Sequence, residues 1–230
     1  MSTVHGGQGN IIKDGLVLWL DAANPKSYPP PYNGTTWLDL SGVNNNATLG
    51  NGSSYVTTNF GSISFDGADD IVNIPNIPFN TNPWVINIWF ETNNLQSQND
   101  SLIAVSASAA TNNWQLSYDD SQTLRFFYKG GLASDAFGLN YTFTTGRTHN
   151  VCITKNSNND IIAYSNGQQT ASVNYDSNYN FTAGIRLGLN RGSVAYYNGR
   201  IQIVQLYSNK SLSADEVLRN YNATRGRFGI

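Results

Sequence analysis

The chain has 230 residues, 13 Lys+Arg against 15 Asp+Glu for a formal net charge of −2, and only 12% charged residues, about half the share of an ordinary soluble domain. Aromatic residues also reach 12%, which excludes a disordered chain, and the near-neutral balance excludes a strongly basic nucleic-acid binder. Cys152 is the single cysteine and the two histidines, His5 and His149, are far apart, so an intrachain disulfide framework, a cysteine zinc site and a histidine metal centre are all disfavoured.

In chain order, residues 1–14 read as a flexible N-terminal segment. The stretch up to Asn10 is polar and Gly-rich without the apolar region of a signal peptide, so synthesis in the cytoplasm is expected. Residues 15–230 read as one domain, since no linker or composition shift divides them. Period-two alternation predicts strands at Leu16–Leu20, Ser62–Phe65, Ile71–Ile74 and Trp84–Phe90. In the last of these, Trp84, Ile86, Ile88 and Phe90 share one face, opposite Val85, Asn87 and Trp89. Further strands are predicted at Leu102–Val105, Trp114–Tyr118, Leu124–Tyr128, Asn150–Thr154, Ile161–Ser165, Gln168–Val173, Ile185–Leu189 and Arg200–Tyr207. Asn166-Gly167 marks a two-residue hairpin, because a type I′ turn needs positive φ at both positions. Asp119-Asp120-Ser121-Gln122 marks another. Arg125-Phe126-Phe127-Tyr128-Lys129 reads as a core strand rather than a nucleic-acid stacking platform.

One helix is predicted. Ser213 to Glu216 is a capping box, Val217, Leu218 and Tyr221 follow at helical spacing, and Gly226 ends it. With Leu212, these apolar residues are expected to plug one end of a sandwich. Many short strands and one short helix make an all-β sandwich of two antiparallel sheets, a jelly roll. No apolar run approaches the ~18 residues of a membrane span, so no membrane insertion is expected. Eight Asn-x-Ser/Thr sequons, beginning at Asn33, reflect the 32 asparagines of the chain.

Several blocks stand in a recognisable order. Residues 15–25 read Gly-Leu-Val-Leu-Trp-Leu-Asp-Ala-Ala-Asn-Pro, and residues 36–42 read Thr-Trp-Leu-Asp-Leu-Ser-Gly. Then come Asn44–Leu49, the Ser64-Phe65-Asp66-Gly67-Ala68-Asp69-Asp70 turn, Gly199–Tyr207 and Leu212–Val217. Together they resemble laminin-G-like domains of the concanavalin A-like lectin/glucanase superfamily, above all versions found in structural proteins of tailed bacteriophages. The resemblance spans about Gly15 to Gly229. It implies a virion structural protein (capsid decoration, neck or fibre component) that is made in the host cytoplasm. Its partners would be other virion proteins, further copies of itself and cell-surface glycans. The alternative is a stand-alone, lectin-like carbohydrate-binding module, calcium-dependent or not.

Candidate ligand residues follow from chemistry. Sugars stack on aromatic faces and bond to planar amides and carboxylates. The candidates are Asn112 and Asn113 with Trp114, then Tyr196, Tyr197 and Asn198, and Tyr28 with Tyr32 around Pro29–Pro31. Asp66, Asp69 and Asp70 would either hold calcium through hard oxygen ligands or bond their own backbone amides in a tight turn. No other cofactor is expected.

Catalysis is not expected. Glucanases of similar fold use a Glu-x-Asp-x-x-Glu strand, whereas this chain has two glutamates, Glu91 and Glu216, with Asn93 where the Asp would stand. Asp119-Asp120 reads as a solvated turn, and His149 as an ordinary residue at a strand edge. The tail residues Arg219, Arg225, Arg227, Phe228 and Ile230 read as either a partner anchor or cations suited to a helix end.

Overall fold

A computed structural model describes residues 10–77, 79–80, 83–94, 100–105, 114–118, 121–128, 136–175, 180–181, 184–190, 192 and 195–230. The strands are β1 (Leu16–Asp21), β2 (Thr36–Trp37), β3 (Ala47–Gly50), β4 (Ser54–Val56), β5 (Ser62–Asp66), β6 (Ile71–Ile74), β7 (Phe79–Asn80), β8 (Trp84–Thr92) and β9 (Asp100–Val105). They continue as β10 (Trp114–Tyr118), β11 (Thr123–Tyr128), β12 (Ala136–Thr142), β13 (Thr148–Lys155), β14 (Asp160–Ser165), β15 (Gln168–Asn174), β16 (Asn180–Phe181), β17 (Ile185–Leu187) and β18 (Asn198–Ser208), before the helix α1 (Ala214–Arg225).

The described residues form two eight-stranded sheets and a two-stranded ribbon of β7 with β16. The first sheet runs β15-β14-β13-β8-β18-β5-β4, and the second runs β12-β11-β10-β9-β17-β6-β3-β2. Strand β18 organises the first. Its residues 198–201 pair with β5, Ile203 to Tyr207 pair with β1, and β8 lies along its other side. The expected jelly-roll sandwich of antiparallel sheets is what the chain forms.

The main core lies between the sheets. Trp84, Ile86, Ile88 and Phe90 face it from β8, and Trp114, Leu116 and Tyr118 from β10. The other face of β8 is buried too. A second cluster joins Val85, Cys152, Tyr164 and Tyr207 to Leu212 and Val217. The helix therefore lies across the outer face of the first sheet instead of plugging a sandwich end. Tyr221 stacks on Trp89 with centroids 5.5 Å apart. The hairpin at Asn166-Gly167 has the expected positive φ at both residues, 51° and 78°. A Cβ on Gly167 would come within 2.9 Å of Tyr221, so this glycine also admits the helix.

Residues 10–14, assigned above to the flexible segment, are held on the fold. Ile11 is buried in the second cluster, the Ile12 N–H donates to Asn220 Oδ1 at 2.8 Å, and Tyr207 donates to the Ile12 carbonyl at 2.9 Å. His149 lies within β13, an inner strand, rather than at an edge. The second expected hairpin joins β10 to β11, with Asp119 and Asp120 outside the described residues. In β11, Phe126 and Tyr128 face the core while Arg125 is exposed. Lys129 lies outside the described residues.

Candidate ligand surfaces at the sandwich rim

The turn after β5 carries the acidic cluster. Gly67 takes φ 85°, bending the chain so that one oxygen each of Asp66, Asp69 and Asp70 lies within 4.8 Å of the others. The turn is also bonded to itself: the Asp66 N–H donates to Asp70 Oδ2 and the Ala68 N–H to Asp66 Oδ1, both at 2.8 Å. Asp66 and Asp69 are exposed, while Asp70 is buried. Burial raises the Asp70 carboxyl to about 6, aided by the charges of Asp66 and Asp69 and opposed by the Asp66 amide. The two uses foreseen for these carboxylates are compatible. Backbone amides shape the turn, and three converging carboxylate oxygens form a donor set suited to a hard cation.

Asn198 belongs to this rim. Its Nδ2 donates to the Asp66 carbonyl at 2.7 Å and its Oδ1 accepts from Asn93 Nδ2 at 3.0 Å. On the far side of the turn, Asn51 Nδ2 donates to the Asp69 carbonyl at 3.1 Å. A sugar-candidate amide and the acidic turn are thus one hydrogen-bonded unit.

Two other sugar candidates are excluded by burial. Trp114 is 1% exposed, because it shares strand parity with Leu116 and Tyr118 and all three face the core. Tyr197 is 0% exposed. It turns inward against Phe65 and Tyr118, and its hydroxyl donates to the Glu91 carbonyl at 2.7 Å. Tyr196 is half-buried and bridges to Leu189. Asn112 and Asn113 lie outside the described residues. Neither the Trp114 candidate nor Tyr196–Asn198 therefore presents an exposed aromatic platform.

A different aromatic surface does. Tyr55 on edge strand β4 lies nearly parallel to both Tyr32 and Tyr28, at 4.5 and 5.3 Å. Tyr28 is buried and donates its hydroxyl to the Gly34 carbonyl, fixing the base of the stack, while Tyr32 and Tyr55 stay half-exposed. Phe60, in the loop leaving β4, is 69% exposed. The sequence pointed to Tyr28 and Tyr32. Tyr55 was missed because β4 has only three residues, too few for alternation to register.

Among the described residues, three groups considered for catalysis have structural partners, while Asp119 and Asp120 lie outside that set. Glu91 pairs with Arg200 beneath the rim. Glu216 completes the capping box, accepting from the Ser213 N–H at 2.8 Å and from Lys210 Nζ at 3.0 Å. His149 Nδ1 lies 2.6 Å from the Tyr141 hydroxyl and its Nε2 2.9 Å from the Thr144 carbonyl, and burial lowers its pKa.

Comparison with solved structures returns the same fold at low identity. Domain 4 of AbnA, a GH43 extracellular arabinanase from Geobacillus stearothermophilus, in complex with arabinotriose, superposes with TM-score 0.68 and 16% identity, covering 90% of this chain and 98% of that one. A Trypanosoma rangeli sialidase in complex with the inhibitor DANA gives 0.70 and 16%, covering 93% of this chain but 34% of the sialidase. The binding domain of Paraclostridial Mosquitocidal Protein 1 gives 0.69 and 19%, covering 92% and 52%. No curated protein matches by sequence. The concanavalin A-like lectin/glucanases family with laminin-G-type domains matches residues 66–218, from the acidic turn to the middle of α1, and the chain belongs to that family.

Proposed function

We propose that the chain is a non-catalytic glycan-binding module whose sugar face is the Tyr32–Tyr55 corner. The observation that carries this reading is the pair of half-exposed, nearly parallel rings anchored on buried Tyr28. Aromatic faces of this kind bury the C–H face of a pyranose at little entropic cost, since the rings are already held in place. The arabinotriose complex of AbnA domain 4 supports the reading by showing that one protein of this fold carries a sugar. Asp66, Asp69 and Asp70 would hold calcium and stiffen the rim. A glycan array, with and without calcium, tests the proposal: Tyr32→Ala weakens binding about tenfold, in line with the loss of roughly one aromatic contact. Absence of binding to any glycan would overturn it.

The setting proposed for the module is the virion of a tailed phage, as a decoration, neck or fibre component beside other virion proteins. This rests on the ordered sequence blocks from Gly15 to Val217. A peptide inventory of purified virions lacking this chain would remove it without touching the glycan reading.

A further inference from the structure

Four Asn-Gly pairs occur in the chain, at Asn33, Asn51, Asn166 and Asn198, and the structure treats them unequally. Asn166 accepts from the Asn150 N–H and donates to the Tyr141 hydroxyl, both at 3.1 Å, while Gly167 lies under Tyr221. Asn198 is bonded at both ends of its amide, and Gly199 is buried in β18. Asn51 donates to the Asp69 carbonyl and sits in a tight turn with φ 58°. Asn33 is different. It and Gly34 are exposed outside any strand, and among the described residues neither its carboxamide nor the Gly34 N–H has a hydrogen-bond partner.

We propose that Asn33-Gly34 is a site of spontaneous deamidation, the one Asn-Gly pair of the four that the fold leaves able to react. The Gly34 amide nitrogen attacks Asn33 Cγ, forming an N–Cγ bond. The Cγ–Nδ2 bond breaks, and ammonia departs with the amide proton. Water then opens the succinimide at either carbonyl, giving aspartate at position 33 or an isoaspartyl linkage. The balance is one water in and one ammonia out, with no redox partner. Glycine favours the step because its backbone reaches the cyclising conformation freely, and the exposed loop lets the chain move.

The product alters the aromatic corner. A carboxylate appears next to Tyr32, and the isoaspartyl form lengthens the backbone just before Gly34, whose carbonyl holds the Tyr28 hydroxyl. The conversion itself does not depend on glycan binding.

A clean control exists, because a Cβ on Gly34 would meet nothing within 4 Å, so Gly34→Ala leaves the fold intact while hindering cyclisation. The folded protein is aged in mildly alkaline buffer and its peptides are mapped by mass spectrometry. Asn33 should convert about tenfold faster than Asn51, Asn166 or Asn198, and Gly34→Ala should slow it by a similar factor. In urea the four rates should converge. Equal rates in the folded protein, indifference to Gly34→Ala, or the same ranking in urea would each overturn the proposal.

Discussion

Trp89 and Phe228 lie face to face, ring centroids 4.5 Å apart and planes 24° from parallel, with Tyr221 stacked on the same indole. The C-terminal tail is thereby folded back onto its own sheet. Arg227 pairs with Asp21 at 2.6 Å, Arg219 donates to the Asn10 carbonyl, and Arg225 bonds the carbonyl of Ile230. The arginines and Phe228, considered above as a partner anchor, serve the domain itself. Phe228→Ala should cost about 1–2 kcal/mol, from lost burial and ring contact. Urea unfolding followed by tryptophan fluorescence reads this directly, and an unchanged midpoint would show that the stack contributes nothing.

Asp70 makes stability depend on pH with a definite sign. Its carboxyl titrates near 6 in the fold against 3.8 when unperturbed, so the folded state favours the protonated form. That contribution is fully present below about pH 4 and is lost as pH rises through about 6. Asp70→Asn retains an acceptor for the Asp66 N–H without the charge. The difference in stability between wild type and variant should therefore shift toward the variant across this window. His149, whose pKa is lowered, acts in the opposite sense, losing stability as pH falls below its unfolded value, and is common to both proteins. A difference that stays flat with pH would refute the assignment to Asp70.

Most of the sandwich was legible because its longer strands alternate cleanly: Trp114–Tyr118 coincides with β10, and Trp84–Phe90 lies within β8. What escaped has physical reasons. Strands β2, β3 and β4 have two to four residues, too few for a period of two to stand out. A bulge at Gln202 shifts β18 by one residue, so that Ile201 and Val204, three apart, both face the core. Period two cannot show such a shift. The position of α1 was written in the outer-facing Val85 and Trp89 of β8, apolar residues that require a cover. The sugar candidates went wrong at Trp114 and Tyr197 because adjacency in sequence ranked them above strand parity. In the acidic turn, convergence of the carboxylates was readable from spacing, but the link to Asn198 depends on the pairing of β18 with β5.

Under α1 the first sheet carries a row of buried amides. Asn87 Nδ2 donates to Gln205 Oε1 at 2.7 Å and Asn87 Oδ1 accepts from Asn150 Nδ2 at 2.8 Å, with all three residues at most 3% exposed. Asn87→Leu keeps the branched shape but takes the donor from Gln205 Oε1 and leaves Asn150 Nδ2 only its longer bond to the Ile88 carbonyl, and should cost about 2–4 kcal/mol. Replacing Asn87, Asn150 and Gln205 together with apolar residues should cost less than the single change, since no orphaned amide remains. Urea midpoints at constant slope measure both. A triple variant weaker than the single one would mean the row is held by something other than mutual bonding.

Gly199 couples the buried Tyr197 to the exposed rim. A Cβ there would stand 2.3 Å from the Glu91 carbonyl oxygen and 2.4 Å from the Tyr197 hydroxyl, contacts that no rotamer relieves because the Glu91 carbonyl is part of the β8 backbone. Gly199→Ala must therefore push β18 away from β8 at Thr92, the residue opposite it. Overpacking of this kind costs about 1–3 kcal/mol. The movement should also loosen the bond between Asn198 and the Asp66 carbonyl. Tyr197→Phe, by contrast, removes the hydroxyl that donates to Glu91 without adding volume, and should cost about 1 kcal/mol. Amide hydrogen exchange separates the two outcomes. Gly199→Ala should speed exchange along residues 198–201 and at the acidic turn, whereas Tyr197→Phe should leave the turn protected. Equal protection in both variants would show that the rim is positioned without the close approach at Gly199.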